Sequence, residues 1–209
     1  MGQDSELLNT ELERIGLLLE HDKLLPSATT LLAGGPVQGS WWGAPHGQRI
    51  YAVLEAFAEG EGALCVKLVN AKRTYVHRAL WPAFLALVRT DERERASALS
   101  PLALRLRERV LEQGEVRGDE LVTARFARPQ ELTKAGSELE TALLVHVDSV
   151  HTSAGAHTKI YRRWPSWAQA HAVAETRLTP EQARGELAGA VERLGTNIPG
   201  RPKLKIPLL

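Results

Sequence analysis

The stretch Gly39 to Gly47, GSWWGAPHG, sets two of the chain's five tryptophans side by side among glycines. An indole face can stack on a nucleobase, and polar groups at a helix start can hold the accompanying phosphate. Trp41 has the company such a site needs in Gln38, Ser40, His46, Gln48 and Arg49. Trp42 is expected in the core instead. Steps of four, four, three and four residues join it to His46, Ile50, Val53 and Phe57, the apolar stripe of the following helix. The competing reading packs Trp41 under the N-terminal helix as well.

A second group lies between His146 and Arg163. Strand alternation places His157, Lys159, Tyr161 and Arg163 on one face and Arg162 on the other, and the loop before them adds His151, Thr152 and Ser153. Basic groups interleaved with an aromatic suit a phosphate backbone with a base nearby. The alternative is a solvated edge strand protected by its charges. Just upstream, a helix from Pro129 offers Gln130, Thr133, Lys134, Ser137 and Thr141 to phosphates or base edges, while Glu131, Glu138 and Glu140 on the same helix oppose DNA. In the first half of the chain Lys72 and Arg73 stand at the corresponding hairpin turn.

Other chemistries find no support. His146, His151 and His157 fall within one hairpin, but only Asp148 accompanies them and no spacing matches a zinc signature, so no metal is expected. There is no G-x-S-x-G, no P-loop and no dinucleotide fingerprint, so no cofactor is expected and no catalytic residue is assigned. Twenty-six Lys and Arg against 25 Asp and Glu leave a net charge of +1, which confines any polyanion site to a local patch. The single cysteine, Cys65, lies in the apolar run 63–69 and reads as a buried small hydrophobe in a reducing compartment. The N-terminus, MGQDSE, is polar, and no run reaches the ~18 apolar residues of a membrane span. The expectation is a cytoplasmic protein without a membrane partner, nucleoid-associated if it binds DNA.

These residues need elements to hold them. Ser5 to Leu25 carries Leu7, Leu8, Leu12, Ile15, Leu18 and Leu19 at helical spacing, and Pro26 ends the run. A short helix over 27–33 and a helix over 45–59 follow, then a hairpin of Ala63–Val69 and Arg73–Arg78 turning at Asn70-Ala71-Lys72. Helix, short helix, helix, hairpin is the order of a winged helix, the helix-turn-helix variant whose hairpin forms the wing. The middle of the chain repeats it. A helix over 99–113 has Leu99, Leu102, Leu104, Val110 and Leu111 as its apolar set. Next come an extended piece at 115–117, a short helix at 118–125, a helix from Pro129 to Leu144, and strands at 144–150 and 157–163. The charged segment 90–98, TDERERASA, reads as a solvated helix end or linker. Thr179-Pro180-Glu181-Gln182 is a capping box opening a helix through Leu194. The final GTNIPGRPKLKIPLL is an extended basic tail, either mobile or held by Ile206 and Leu208. The expected fold is α+β, with tandem winged-helix units over 1–92 and 93–166 and a C-terminal helix and tail over 167–209.

Three blocks, "GSWWGAPHGQRIYAVLEA", "VKLVNAKRTYVHRALWPAFLAL" and "LETALLVHVDSVHTSAGAHTKIYRRWPSW", resemble a small bacterial group, AlkX-like proteins, related to the AlkZ and YcaQ winged-helix DNA glycosylases. The resemblance implies DNA binding and a role in repair. It does not carry a catalytic residue across: those enzymes use Gln-x-Gln or Gln-x-Asp, and Gln3, Gln38, Gln48, Gln113, Gln130, Gln169 and Gln182 all lack that partner. The leading expectation is a protein that binds damaged or unusual DNA (duplex, hairpin or single-stranded) without excising a base. A glycosylase for alkylated or crosslinked bases would instead need Trp41 and His46 in a pocket. A protein-interaction module, working as a homodimer or with a protein partner, is the third expectation. A positive stripe from Lys72 and Arg73 to Lys159, Arg162 and Arg163 goes with the first two, and scattered charge with the third.

Overall fold

The computed structural model describes residues 2–37, 40–43, 46–151, 155, 157–196, 198 and 204–209. The chain is α+β, with ten α-helices and two three-stranded antiparallel sheets among the described residues. It divides into two compact units, Met1–Phe84 with Thr176–Leu209, and Leu85–Glu175. The division falls inside α4 (Trp81–Val88), ahead of the boundary expected after residue 92, and the C-terminal helix belongs with the first unit.

In the first unit α1 (Gly2–Ile15) turns Leu8, Leu12 and Ile15 into the core. Gly16, at φ +91°, ends it in a conformation that costs little only without a side chain. The helix expected as far as Leu25 therefore stops ten residues early, and Leu17–Leu19 form strand β1. All three leucines are buried, because this sheet is covered on both faces and consecutive apolar residues serve it as well as they serve a helix. Ser27 caps α2 (Ala28–Ala33), and α3 (Gly47–Ala58) follows. Strands β2 (Ala63–Val69) and β3 (Lys72–His77) join through Asn70 and Ala71, both at positive φ as a tight hairpin turn requires. β3 is central, giving the order β1-β3-β2. Leu18, Ala63 and Tyr75 pack with α1, α2 and α3, Tyr75 edge-on to Phe57 at 5.0 Å. The alternate residues Leu17, Leu19, Leu64, Val66, Leu68 and Val76 are buried as well. α10 (Pro180–Gly195) runs along β1, and Arg193 Nε donates to the Ile15 carbonyl at 2.9 Å. Its Thr179–Gln182 capping box forms as read.

The tail is held in place over 204–209. Asn70 N donates to the Lys205 carbonyl at 2.8 Å, Lys205 N donates to Asn70 Oδ1 at 2.9 Å, and Leu208 is buried. The tail is thus pinned to Asn70 of the first hairpin's turn, whose residues Asn70 and Ala71 stay exposed.

The second unit repeats the order. After the short α5 (Glu92–Ala96) come α6 (Pro101–Gln113), β4 (Glu115–Arg117), α7 (Gly118–Thr123), α8 (Pro129–Thr141), β5 (His146–His151), β6 (His157–Arg162) and α9 (Trp164–Ala170). Its sheet order, β4-β6-β5, matches that of the first. α6 buries Ala103, Leu106 and Val110, at steps of three and four, while Leu104 and Leu111 of the expected stripe are exposed. Gly136 lets α8 close on the ring of Tyr161, where any Cβ would collide. The segment 90–98 is only partly solvated: Ala96 packs on the second core, Glu92 pairs with Arg107, and the Arg95 guanidinium donates to the carbonyls of Val88, Thr90, Ala142 and Leu143. No helix among the described residues is long and apolar enough to cross a membrane.

Candidate nucleic-acid interface

The two tryptophans exchange the places expected of them. Trp41 is buried in the first core with Ile50, Val53 and Phe57, and Trp42 is 58% exposed. The reason is local geometry. Trp41–Gly43 form a separate 3₁₀ turn, so the 3.6-residue phase of α3 does not run back through them. Gly47 permits the close approach of that turn, since a Cβ there would meet the Trp42 carbonyl oxygen at 2.6 Å. The indoles stack at 4.5 Å and 22°, and Tyr51 tilts against Trp42 at 4.8 Å. His46 and Gln48 are exposed beside them. Gln38, Thr152 and Ser153 lie outside the described residues.

Three cations of the first unit are tied to acids in one pattern. Arg49 Nη2 donates to the Leu32 carbonyl at 2.8 Å and lies 3.7 Å from Asp4, Lys72 Nζ is 2.7 Å from Asp22, and Arg73 Nε is 3.1 Å from Glu20. The cations are 50–53% exposed and their acids only 8–22%. Each carboxylate therefore positions its cation from beneath and leaves the positive group outermost. Burial opposes ionisation of Asp22, but the Leu25 amide, the Lys72 ammonium and the Leu24 amide outweigh it and hold the carboxyl below its usual range. Arg73 Nε also donates to Cys65 Sγ at 3.4 Å, so the cysteine read as simply buried is a partly exposed hydrogen-bond acceptor.

Arg162 shows the reverse pattern. It is 19% exposed and reaches Glu115 at 2.6 Å and Asp148 at 3.1 Å, acids that are 42% and 37% exposed. Expected at DNA, it is instead a structural clamp between β4, β5 and β6. Asp148 is held below the usual carboxylate range because His146 and Arg162 outweigh the opposing effect of burial. His146 is buried against Trp164 and Trp167, each 5.7 Å away, with its Nδ1 3.4 Å from Asp148 Oδ2. Among the described residues no group of three metal-ligating side chains exists. Tyr161, expected on the outer face, is core: the hairpin's inner end lies on α8 and only its outer end is solvated. Burial pushes its hydroxyl up to about 12.

The solvated end keeps His151, His157 and Lys159, all exposed, with the two imidazoles 4.0 Å apart. Lys134 and Arg163 are exposed too, and Arg163 Nε donates to Ser166 Oγ at 3.0 Å. Arg125 and Arg128, in the turn ahead of α8, are exposed cations that the sequence reading missed. Their signal was position alone, immediately before Pro129. Among the described residues none of Arg125, Arg128, Lys134, Lys159 and Arg163 forms a salt bridge. Two of the opposing glutamates are engaged with backbone: Glu131 accepts from Arg128 N at 3.1 Å and Glu138 from Ser100 N at 2.8 Å. The Ser100 amide, against a smaller effect of burial, keeps Glu138 below its usual range.

No family model matches the chain, and no curated protein or solved structure matches it with statistical significance. The site rests on its own geometry. That geometry offers outward cations in each unit and a stacked aromatic pair in the first.

Proposed function

We propose that this chain is a DNA-binding protein built from two winged-helix units and related to the AlkX-like group, acting on damaged or unusual DNA without excising bases. The observation that carries the reading is the repeated topology. Helix, strand, short helix, helix and hairpin occur twice, and each time the first strand pairs with the hairpin's last. In such a unit the third helix and the wing are the parts that meet a duplex. In the second unit those parts, with the turn before the helix, carry Arg125, Arg128, Lys134 and Lys159, none spent on a salt bridge among the described residues. Gln130 and Thr133 are exposed on the same turn of α8.

The first hairpin contributes differently, because the tail is hydrogen-bonded to Asn70 of its turn. Excision has no support of its own, since Trp41 is in the core and cannot line a pocket with His46. The test is anisotropy of a labelled duplex at several salt concentrations. Lys134→Ala and Lys159→Ala should each weaken binding across sequences and reduce the salt slope by about 0.9, as loss of one phosphate contact does.

A further inference from the structure

We infer that the first unit binds a phosphate ester in a cavity of about 370 Å³ between the β1–α2 loop, the turn of the first hairpin and the C-terminal tail. The inference goes beyond the DNA-binding reading and does not depend on it. The volume is that of a small-molecule site. Lys23, Leu24 and Leu25 line it from the loop, Asn70 and Lys72 from the hairpin, and Leu204 from the tail. The tail wall is fixed, because the next residue, Lys205, exchanges hydrogen bonds of 2.8 and 2.9 Å with Asn70, and Leu208 is buried.

Hydrogen-bonding capacity selects the occupant. The carboxylate and the amide carbonyl on this wall are already engaged. Asp22, only 8% exposed, accepts from the Leu24 and Leu25 amides through Oδ1 and from Lys72 Nζ through Oδ2, and Asn70 Oδ1 accepts from Lys205 N. The capacity left over is for donation: the exposed Lys23 ammonium, the Lys72 N–H groups not given to Asp22, and Asn70 Nδ2. Two ammonium groups against one carboxylate leave the lining positive. Lys72 is half-exposed and held from beneath by its acid, so its free N–H groups are presented with less ordering cost than those of a loose lysine. A phosphate group brings more acceptor oxygens and more charge to such donors than a carboxylate does. A bare phosphate would fill only part of the cavity. Leu24, 72% exposed, and Leu204 supply an apolar wall for the organic group of an ester.

The test uses the isotope-labelled full chain with thymidine monophosphate, inorganic phosphate and thymidine as probes. Thymidine monophosphate at about 1 mM should shift the amide resonances of Leu24, Asn70 and Lys205, inorganic phosphate should shift them more weakly, and thymidine should leave them in place. Lys23→Ala should weaken nucleotide binding about fivefold, the upper range for one exposed ion pair. Asn70→Asp keeps the acceptor for Lys205 N and tolerates the turn's positive φ, yet sets a negative charge among the donors, and should remove binding. A labelled duplex separates two sources of the phosphate. Duplex affinity that falls in Asn70→Asp along with nucleotide binding assigns the cavity to a DNA strand, and duplex affinity unchanged while nucleotide binding is lost assigns it to a free ester. No shift at these amides with either phosphate probe, equal shifts with thymidine, or nucleotide affinity unchanged in Asn70→Asp overturns the inference. Absence of duplex binding overturns the DNA-binding reading and leaves the cavity to be judged on the nucleotide alone.

Discussion

At Asp22 one carboxylate does three jobs. It accepts from the amides of Leu24 and Leu25 at 2.8 and 3.0 Å and from Lys72 Nζ at 2.7 Å, joining the β1–α2 loop to the hairpin. Asp22→Asn should cost about 1–3 kcal/mol in urea unfolding at neutral pH, since it weakens acceptors that buried donors depend on. The pH dependence has a definite sign. A carboxyl whose folded pKa lies below its unfolded value stabilises the fold above the unfolded value, near 3.8, and loses that contribution as pH falls through the folded one. The gap between wild type and Asp22→Asn should therefore narrow below about pH 4. A gap that stays constant to pH 3 would contradict the assignment. At Gly136 the constraint is steric: Gly136→Ala drives a methyl into Tyr161 and should cost about 1–3 kcal/mol, read as a lower urea midpoint at unchanged slope.

Among the elements, the 3₁₀ turn at Trp41–Gly43 decides which tryptophan supports the fold. Trp41→Ala should cost about 3–5 kcal/mol, and Trp42→Ala should stay within about 1 kcal/mol of wild type. Equal losses would contradict the placement. The same turn marks where sequence reasoning stopped. Both hairpins, the short helices and the capping box at Thr179 were legible, because turn chemistry and caps act over three or four residues. Leu17–Leu19 and the two tryptophans were not, because an apolar run fits a helix and a doubly covered strand alike, and a helical phase cannot be carried across a turn of another pitch. The candidate cations could be named from the sequence. Whether a cation faces outward, as Arg73 does, or is enclosed by its acids, as Arg162 is, depends on partners 14 to 53 residues away that only the folded sheet brings together.

For the whole molecule, a net charge of +1 hides two kinds of surface. The first unit shows half-exposed cations above sheltered acids, and the second leaves several cations unpaired among the described residues around α8 and the outer end of its hairpin. Near-neutral totals make nonspecific attraction weak, so affinity should depend on a few placed contacts and be easily measured one residue at a time. The most direct measurement is the salt dependence of duplex binding by wild type, Lys134→Ala and Lys159→Ala. The proposal of two winged-helix units that bind DNA predicts an affinity that falls with salt and a slope that drops by about 0.9 in each variant. A duplex that does not bind at low salt, or a slope that both variants leave unchanged, would contradict the DNA-binding role at this site.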